Sequence, residues 1–281
     1  MPSEERSYVI GTHEAEIERL GVQHRVWRAS VLAFWRRHGV TEGMTVIDAG
    51  AGPGYASLDL AEIVGPTGHV IALERSRRFL DALERQAAQR GLTNIQTIET
   101  DLMDFDWSTV CADSIWCRWV LAFVADPASV VRGMAQALKP GGIALLHEYY
   151  DYASWRLAPH SQLFEGYVAK IIARWRLSGG EPDIALALPR LLSNAGLTVD
   201  SISPQVFAAR MSDFASRWPM GFAREYIPTL RDSGDLTAGE ADAVAHLLAQ
   251  TESDPEAVVV TPGVLHIAAH KPLNPVAKTN A

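Results

Sequence analysis

The sequence predicts an α/β protein built on a mostly parallel sheet with helices on both faces. Three observations carry the prediction. Apolar, β-rich runs such as "TVIDA", "HVIAL" and "IALLHEY" alternate with segments of helical periodicity. Those helical segments run about 10–15 residues, the length of a crossover connecting parallel neighbours. The first strand also ends in "DAGAGPGY", a glycine-rich turn that leads straight into a helix.

The elements follow in order. From His13 to Arg37, Ile17, Leu20, Trp27, Val31 and Phe34 recur at helical spacing, so an amphipathic helix is expected, interrupted at most at Gly21. Glu42-Gly43 is a turn, and Thr45 to Ala49 a buried strand. Tyr55 to Val64 is a helix stopped by Gly65-Pro66, and His69 to Leu73 a second strand reaching Glu74. Ser76 to Arg90 reads as a helix with Phe79, Leu80, Leu83 and Ala87 on one face. Ile95 to Ile98 is a third strand ending near Asp101, and Asp113 to Val120 a fourth. Asp126-Pro127 opens the next helix, a capping carboxylate followed by proline at the first helical position. That helix breaks at "KPGG", and Ile143 to Tyr149 is a fifth strand.

Beyond Tyr150 the rhythm changes. Leu163 to Trp175 predicts a longer amphipathic helix, and Asp183 a cap for a helix running to Asn194. Thr198 to Phe207 and Val258 to Ala269 read as two last strands, with a polar helical insertion at about 212–256 between them. No repeat or low-complexity tract interrupts the pattern.

Composition narrows the function. The 281 residues are 48% hydrophobic and 21% charged, with a formal net charge of -8. An acidic chain lacks the lysine and arginine surplus that neutralises phosphates, so no nucleic-acid partner is expected. No run approaches ~18 apolar residues, so no membrane span is expected. The polar, acidic start "MPSEERSYVI" does not resemble a signal peptide, and a cytoplasmic protein is expected. Cys111 and Cys117 lack zinc-ligand spacing and read as two buried thiols. No metal site is predicted.

The glycine turn is the most informative stretch. Glycine there lets the backbone approach a ligand without a Cβ in the way, at the strand ends where open α/β sheets bind ligands. A nicotinamide fingerprint needs a third glycine three residues after the second. Counting from Gly50 or Gly52 gives Tyr55 or Ser57, so the fingerprint fails. What stands instead is Asp48, Gly50, Gly52, Gly54.

This pattern resembles the first motif of the class I S-adenosylmethionine-dependent methyltransferases, which implies a Rossmann-like seven-stranded sheet with its last strand antiparallel, here with helical cap insertions. The later motifs fall in order. Glu74 in "VIALERS" matches the acid that accepts both ribose hydroxyls. Asp101 in "IETDLMDFD", with the backbone of Leu102, matches the reader of the adenine edge. "DSIWCRWVLAFVADP" resembles the fourth-strand motif, with Arg118 and Trp119 along the methionine arm, and "LKPGGIALLHE" the fifth. Arg118 is read equally as a structural ion pair. The resemblance implies S-adenosyl-L-methionine as cofactor, its cationic groups balanced by Asp48. The N-terminal helix, preceded by Tyr8, resembles a lid, and Arg19 and Gln23, one turn apart, are candidates for the methionine carboxylate.

The acceptor is read partly by absence. The fourth-strand end lacks the Asn/Asp-Pro-Pro-aromatic motif of base-amine methylation, the Pro-Cys pair of cytosine methylation, and the paired glutamates of protein arginine methylation. A small-molecule acceptor is expected, beneath aromatics that include Trp119, Tyr149, Tyr152 and Trp155. If a base is needed, His147 is the candidate, as the default near-neutral titrating group. Glu148 follows it and faces the opposite side of the strand. The organisation expected is one structural domain: a lid at 1–40, a cofactor core at 41–150, and the remainder at 151–281 with caps at about 151–178 and 212–256. The rival readings are a nicotinamide-dependent oxidoreductase, a non-catalytic protein that keeps the pocket, and an RNA or protein methyltransferase.

Overall fold

The computed structural model describes residues 12–273, so Tyr8 lies outside the described residues. In chain order the elements are α1 (Glu14–Arg37), β1 (Thr45–Ala49), α2 (Tyr55–Val64), β2 (His69–Glu74), α3 (Arg77–Arg90), β3 (Ile95–Glu99), β4 (Ala112–Arg118), α4 (Pro127–Ala137) and β5 (Leu138–Asp151). They continue as β6 (Arg156–Ala158), α5 (Gln162–Leu177), α6 (Leu188–Asn194), β7 (Thr198–Gln205), β8 (Ala208–Arg210), α7 (Arg217–Asp232), α8 (Ala238–Ser253), β9 (Val258–Val260) and β10 (Gly263–His270).

Local chemistry sets most of these boundaries. Ser76 caps α3, its hydroxyl accepting from the Phe79 amide at 3.3 Å, and Gly91 ends that helix in the left-handed region. Asp126 caps α4 as expected, accepting from the Ser129 amide at 3.0 Å. Thr237 and Glu240 form a reciprocal capping box at the start of α8.

Seven strands form one sheet in the order β3-β2-β1-β4-β5-β10-β7, mostly parallel with the last strand antiparallel. Strand order reverses between β1 and β4, where Asp48 pairs with Ala72 on one side and Trp116 on the other. Arg118 of β4 pairs with His147 of β5. This is the expected fold.

The chain divides into two compact units. One holds, among the described residues, 30–148, 184–203 and 265–273. Its core includes Leu58, Leu80 and Leu83, and the ring of Trp35 meets Trp116 edge-on at 5.1 Å. The other holds, among the described residues, 12–29, 149–183 and 204–264. Its core is aromatic: Trp27 meets Trp218 at 5.2 Å, Trp155 meets Phe164 at 5.2 Å, and Phe222 stacks on Tyr226.

Several expectations need correction. The segment from Val258 to Ala269 is two strands, because Pro262 has no amide to continue a ladder. Its first part, β9, pairs antiparallel with β6 and β8 in a separate three-stranded sheet. Asp183 does not cap a helix. Its carboxylate accepts from the Tyr152 amide at 2.8 Å, and α6 starts at Leu188, with Pro189 in its first turn. β4 stops at Arg118 rather than Val120, because Trp119 turns into the left-handed region at φ 52°. β5 begins at Leu138, so "KPGG" lies within the strand, where the pairing with β4 is irregular. Cys111 is exposed, and only Cys117 is a buried thiol.

Candidate functional site

The three alternating glycines all take positive φ, at 79°, 56° and 85° for Gly50, Gly52 and Gly54. Their surroundings differ. A Cβ at Gly50 would sit 2.3 Å from Val120 Cγ2, and one at Gly54 2.3 Å from Leu83 Cδ1. One at Gly52 would meet nothing within 4 Å. Two of the glycines therefore let the turn pack, and the middle one faces open space.

The turn is tied to the sheet. The amides of Gly50 and Ala51 both donate to the Leu73 carbonyl at 2.9 Å. The Gly52 amide donates to Glu74 Oε2 at 2.9 Å, and the Ser76 amide donates to Oε1 at 2.9 Å. Glu74 is buried at the end of β2, beside the open face of Gly52. Each carboxylate oxygen carries two lone pairs, so Glu74 keeps acceptor capacity for the hydroxyls of a sugar.

Asp48, at the end of β1, is fully enclosed. Its Oδ2 accepts from the Ser57 hydroxyl of α2 at 2.6 Å. Burial pushes its carboxyl up to about 6, against the pull of the Ser57 bond and the Arg118 charge. Such a group gains most from a nearby cation. Asp101 is half-buried two residues past β3, its Oδ1 accepting from the Met103 amide at 3.0 Å. Leu102 beside it is buried, and its carbonyl accepts from the Trp107 indole at 3.2 Å.

At the end of β4 the Arg118 guanidinium lies 5.4 Å from the Trp119 ring centroid. Trp119 donates its amide to the His147 carbonyl at 3.0 Å, and its ring meets the His147 imidazole edge-on at 4.5 Å. His147 is fully buried, and its Nδ1 shares a hydrogen bond with Nε2 of His266 on β10 at 2.8 Å. Burial, then the His266 and Arg118 charges, hold His147 well below the usual histidine range, so it is neutral. Glu148 is also fully buried, on the other side of the strand, and its Oε1 accepts from the Val120 and Leu121 amides.

In the other unit, Arg19 and Gln23 of α1 are joined, Nη1 donating to Oε1 at 3.3 Å. Arg19 also makes a two-pronged bond to Glu16 at 2.7 Å and lies 3.4 Å from Glu225. Burial lowers its pKa, but the two carboxylates outweigh that and raise it. Gln23 Oε1 accepts from the Trp218 indole at 2.9 Å. Tyr149, Tyr152 and Trp155 form an edge-to-face ladder, Tyr149–Tyr152 at 5.0 Å and Tyr152–Trp155 at 5.9 Å, with Trp175 and Phe222 alongside. Among the described residues, no cluster of three or more metal-ligating side chains occurs, and no helix is long and apolar enough to cross a membrane.

Sequence reasoning passed over Ser57, His266, Glu16 and Glu225. His266 and Glu225 are placed by contacts between distant segments, whereas Glu16 pairs with Arg19 three residues along α1. Ser57 carried the nearest signal, as a hydroxyl one helical turn into α2.

Comparisons with known proteins agree with this geometry. A family described as a methyltransferase domain matches residues 40–174. The chain is 27% identical to a demethylmenaquinone methyltransferase of Lactococcus lactis over 210 residues, covering 69% of this chain and 81% of the relative. It is 32% identical to one from Geobacillus stearothermophilus over 45% of this chain and 53% of that protein, so it spans only about half of the second relative. Its fold is similar to phosphoethanolamine N-methyltransferase 2 of Haemonchus contortus, solved with S-adenosylhomocysteine, at a TM-score of 0.52 and 15% identity. That likeness covers 89% of this chain and 57% of the nematode chain. By sheet order and by the match over residues 40–174, the chain carries a methyltransferase domain of the class I S-adenosylmethionine-dependent kind.

Proposed function

We propose that this enzyme methylates a small, partly aromatic or apolar acceptor. S-adenosyl-L-methionine supplies a methyl group on a positively charged sulfur. The residues present fit that cofactor: the open face of Gly52 admits a nucleoside, and Glu74 beside it offers acceptors for the ribose hydroxyls. Asp101 and the Leu102 backbone are the candidates for the adenine edge, and Asp48, with Arg118 near it, for the charged end. Methyl transfer needs little beyond alignment, because holding donor and acceptor together removes much of the entropic barrier.

The observation that carries the acceptor class is the buried aromatic ladder Tyr149–Tyr152–Trp155 with Trp175, in the same unit as the buried Arg19. Aromatic side chains of this kind suit a planar, largely apolar molecule rather than a polyanion. The acidic net charge of -8 supports the same class. The relatives named for demethylmenaquinone point to an apolar ring system as well. His147 enters as the proton acceptor only for a hydroxyl or carbon acid; it is already neutral, but Trp119 must move off it.

The test is turnover of methyl-labelled cofactor against three panels: quinol and phenol metabolites, total RNA, and unmodified protein extract. Label in the first panel alone supports the reading, and label in RNA or protein overturns it.

A further inference from the structure

Glu148 has no assigned task in methyl transfer, yet it is a fully buried acid that gathers backbone amides close to the glycine turn. It sits within β5, three residues before the strand ends, fully buried, and faces away from the His147–His266 pair. One oxygen, Oε1, accepts from the Val120 amide at 2.8 Å and the Leu121 amide at 2.9 Å, and the carboxylate also takes the Ala122 amide. The other oxygen, Oε2, is buried with no hydrogen-bond partner. A lone buried carboxylate is costly, so the three amides it gathers must matter to the fold around them.

Those amides belong to the turn that leaves β4. The turn begins at Trp119, whose φ of 52° is the sole positive value among non-glycine described residues. A bulky residue held left-handed is strained and persists only where its surroundings over-determine it. Here the Trp119 amide is fixed by the His147 carbonyl, the next amides by Glu148, and the Phe123 amide by the Val120 carbonyl at 2.9 Å. The turn then presses Val120 against Gly50, where a Cβ would lie 2.3 Å from Val120 Cγ2. A chain of direct contacts therefore runs from Glu148 through the turn to the glycine loop.

We propose that Glu148 is a positioning residue: by collecting the amides of residues 120–122 it holds Trp119 left-handed and seats Val120 on Gly50, fixing the glycine loop in its cofactor-receiving shape. This rests on the cofactor reading of that loop. Removing the carboxylate frees three amides and lets the turn relax toward ordinary backbone, which unseats Val120. Glutamine keeps one carbonyl oxygen in the accepting position and keeps the turn.

The test uses the full chain with Glu148→Gln, Glu148→Ala, Val120→Ala and the Glu148→Ala/Val120→Ala double variant. Amide exchange of segment 119–123 and calorimetric binding of S-adenosylhomocysteine are measured on each. Expected are a tenfold or greater rise in exchange and a tenfold or greater loss of affinity for Glu148→Ala. Glu148→Gln stays within threefold of wild type on both. The double variant loses less than the product of the singles, since both act through one contact. Wild-type exchange in Glu148→Ala, or raised exchange with unchanged affinity, overturns the proposal. If Glu148→Ala does not fold, a tenfold loss in the folded Glu148→Gln overturns it and near wild-type binding upholds it. Should wild type itself not bind S-adenosylhomocysteine, the cofactor reading has failed, and the exchange data alone decide whether Glu148 holds the turn.

Discussion

Replacing each alternating glycine by alanine separates packing from ligand contact at one loop. At Gly52 the added methyl meets nothing within 4 Å, and the only cost is a left-handed φ of 56°. That strain is roughly 1–2 kcal/mol, or a fall in Tm of a few degrees at about 2–4 °C per kcal/mol. At Gly54 the φ is 85° and the methyl would lie 2.3 Å from Leu83 Cδ1 and 2.7 Å from Leu83 Cβ, so α3 itself must shift. Strain plus overpacking there costs about 2–5 kcal/mol. Gly52→Ala is therefore expected to fold nearly as well as wild type, yet, on the proposed placement of the nucleoside against that face, to bind S-adenosylhomocysteine at least tenfold more weakly. Gly54→Ala is expected to lose stability first. Thermal denaturation and calorimetry on the same samples read both quantities. A Gly52→Ala protein that binds within threefold of wild type refutes the placement of the cofactor against that face.

Three further outcomes are expected. Glu74→Ala removes the acceptor for the Gly52 and Ser76 amides, and calorimetry should show affinity for S-adenosylhomocysteine reduced tenfold or more, with Glu74→Gln intermediate. Asp48 and Glu148 are acids held above their ordinary values, at about 6 and about 8, so the folded state keeps protons that the unfolded chain has released. Their contribution is fully present below pH ~4 and lost as pH rises, on the order of 3 kcal/mol for Asp48 by pH 6 and about 5 kcal/mol for Glu148 by pH 8. Denaturant melts of cofactor-free protein at pH 5, 7 and 9 should fall in that order, and Glu148→Gln should flatten the upper half; a rise toward pH 9 contradicts the assignment. His147→Gln breaks the bond to His266 inside the core and should lower Tm, with kcat reduced less than tenfold; a hundredfold fall in kcat at intact fold identifies His147 as the proton acceptor.

The sheet was legible because its strands are apolar runs with clear stops, and the glycine turn because alternating glycines have no packing excuse of their own. Asp48, Glu74 and Asp101 could be read from their place at strand ends. What stayed hidden depends on tertiary contact. Strands β6, β8 and β9 have three residues each, too few for an alternating pattern to show. Asp183 looked like a helix cap because the competing partner, the Tyr152 amide, comes from a distant segment. Arg19 and Gln23 were placed on one face correctly by spacing, and Glu16 is a local i,i+3 partner of Arg19, but nothing local announced that Glu225 and Trp218 would join them. Trp119 had the sequence of an ordinary strand end. Its reversed backbone lies beside amides that Glu148, a residue far along the chain, accepts from.

The strict two-sidedness of β5 has a consequence for where the chain tolerates changes of length. Between Ile143 and His147 the strand keeps unbroken register with β4, so deleting one residue there swaps the sides of His147 and Glu148. The imidazole would then face the bend after β4, and the acid would point at His266. Between Lys139 and Gly141, where pairing with β4 is already irregular, the same deletion disturbs no regular register. Homologous chains should therefore differ in length at the exposed lysine-proline-glycine stretch and hardly ever in the four apolar positions after it.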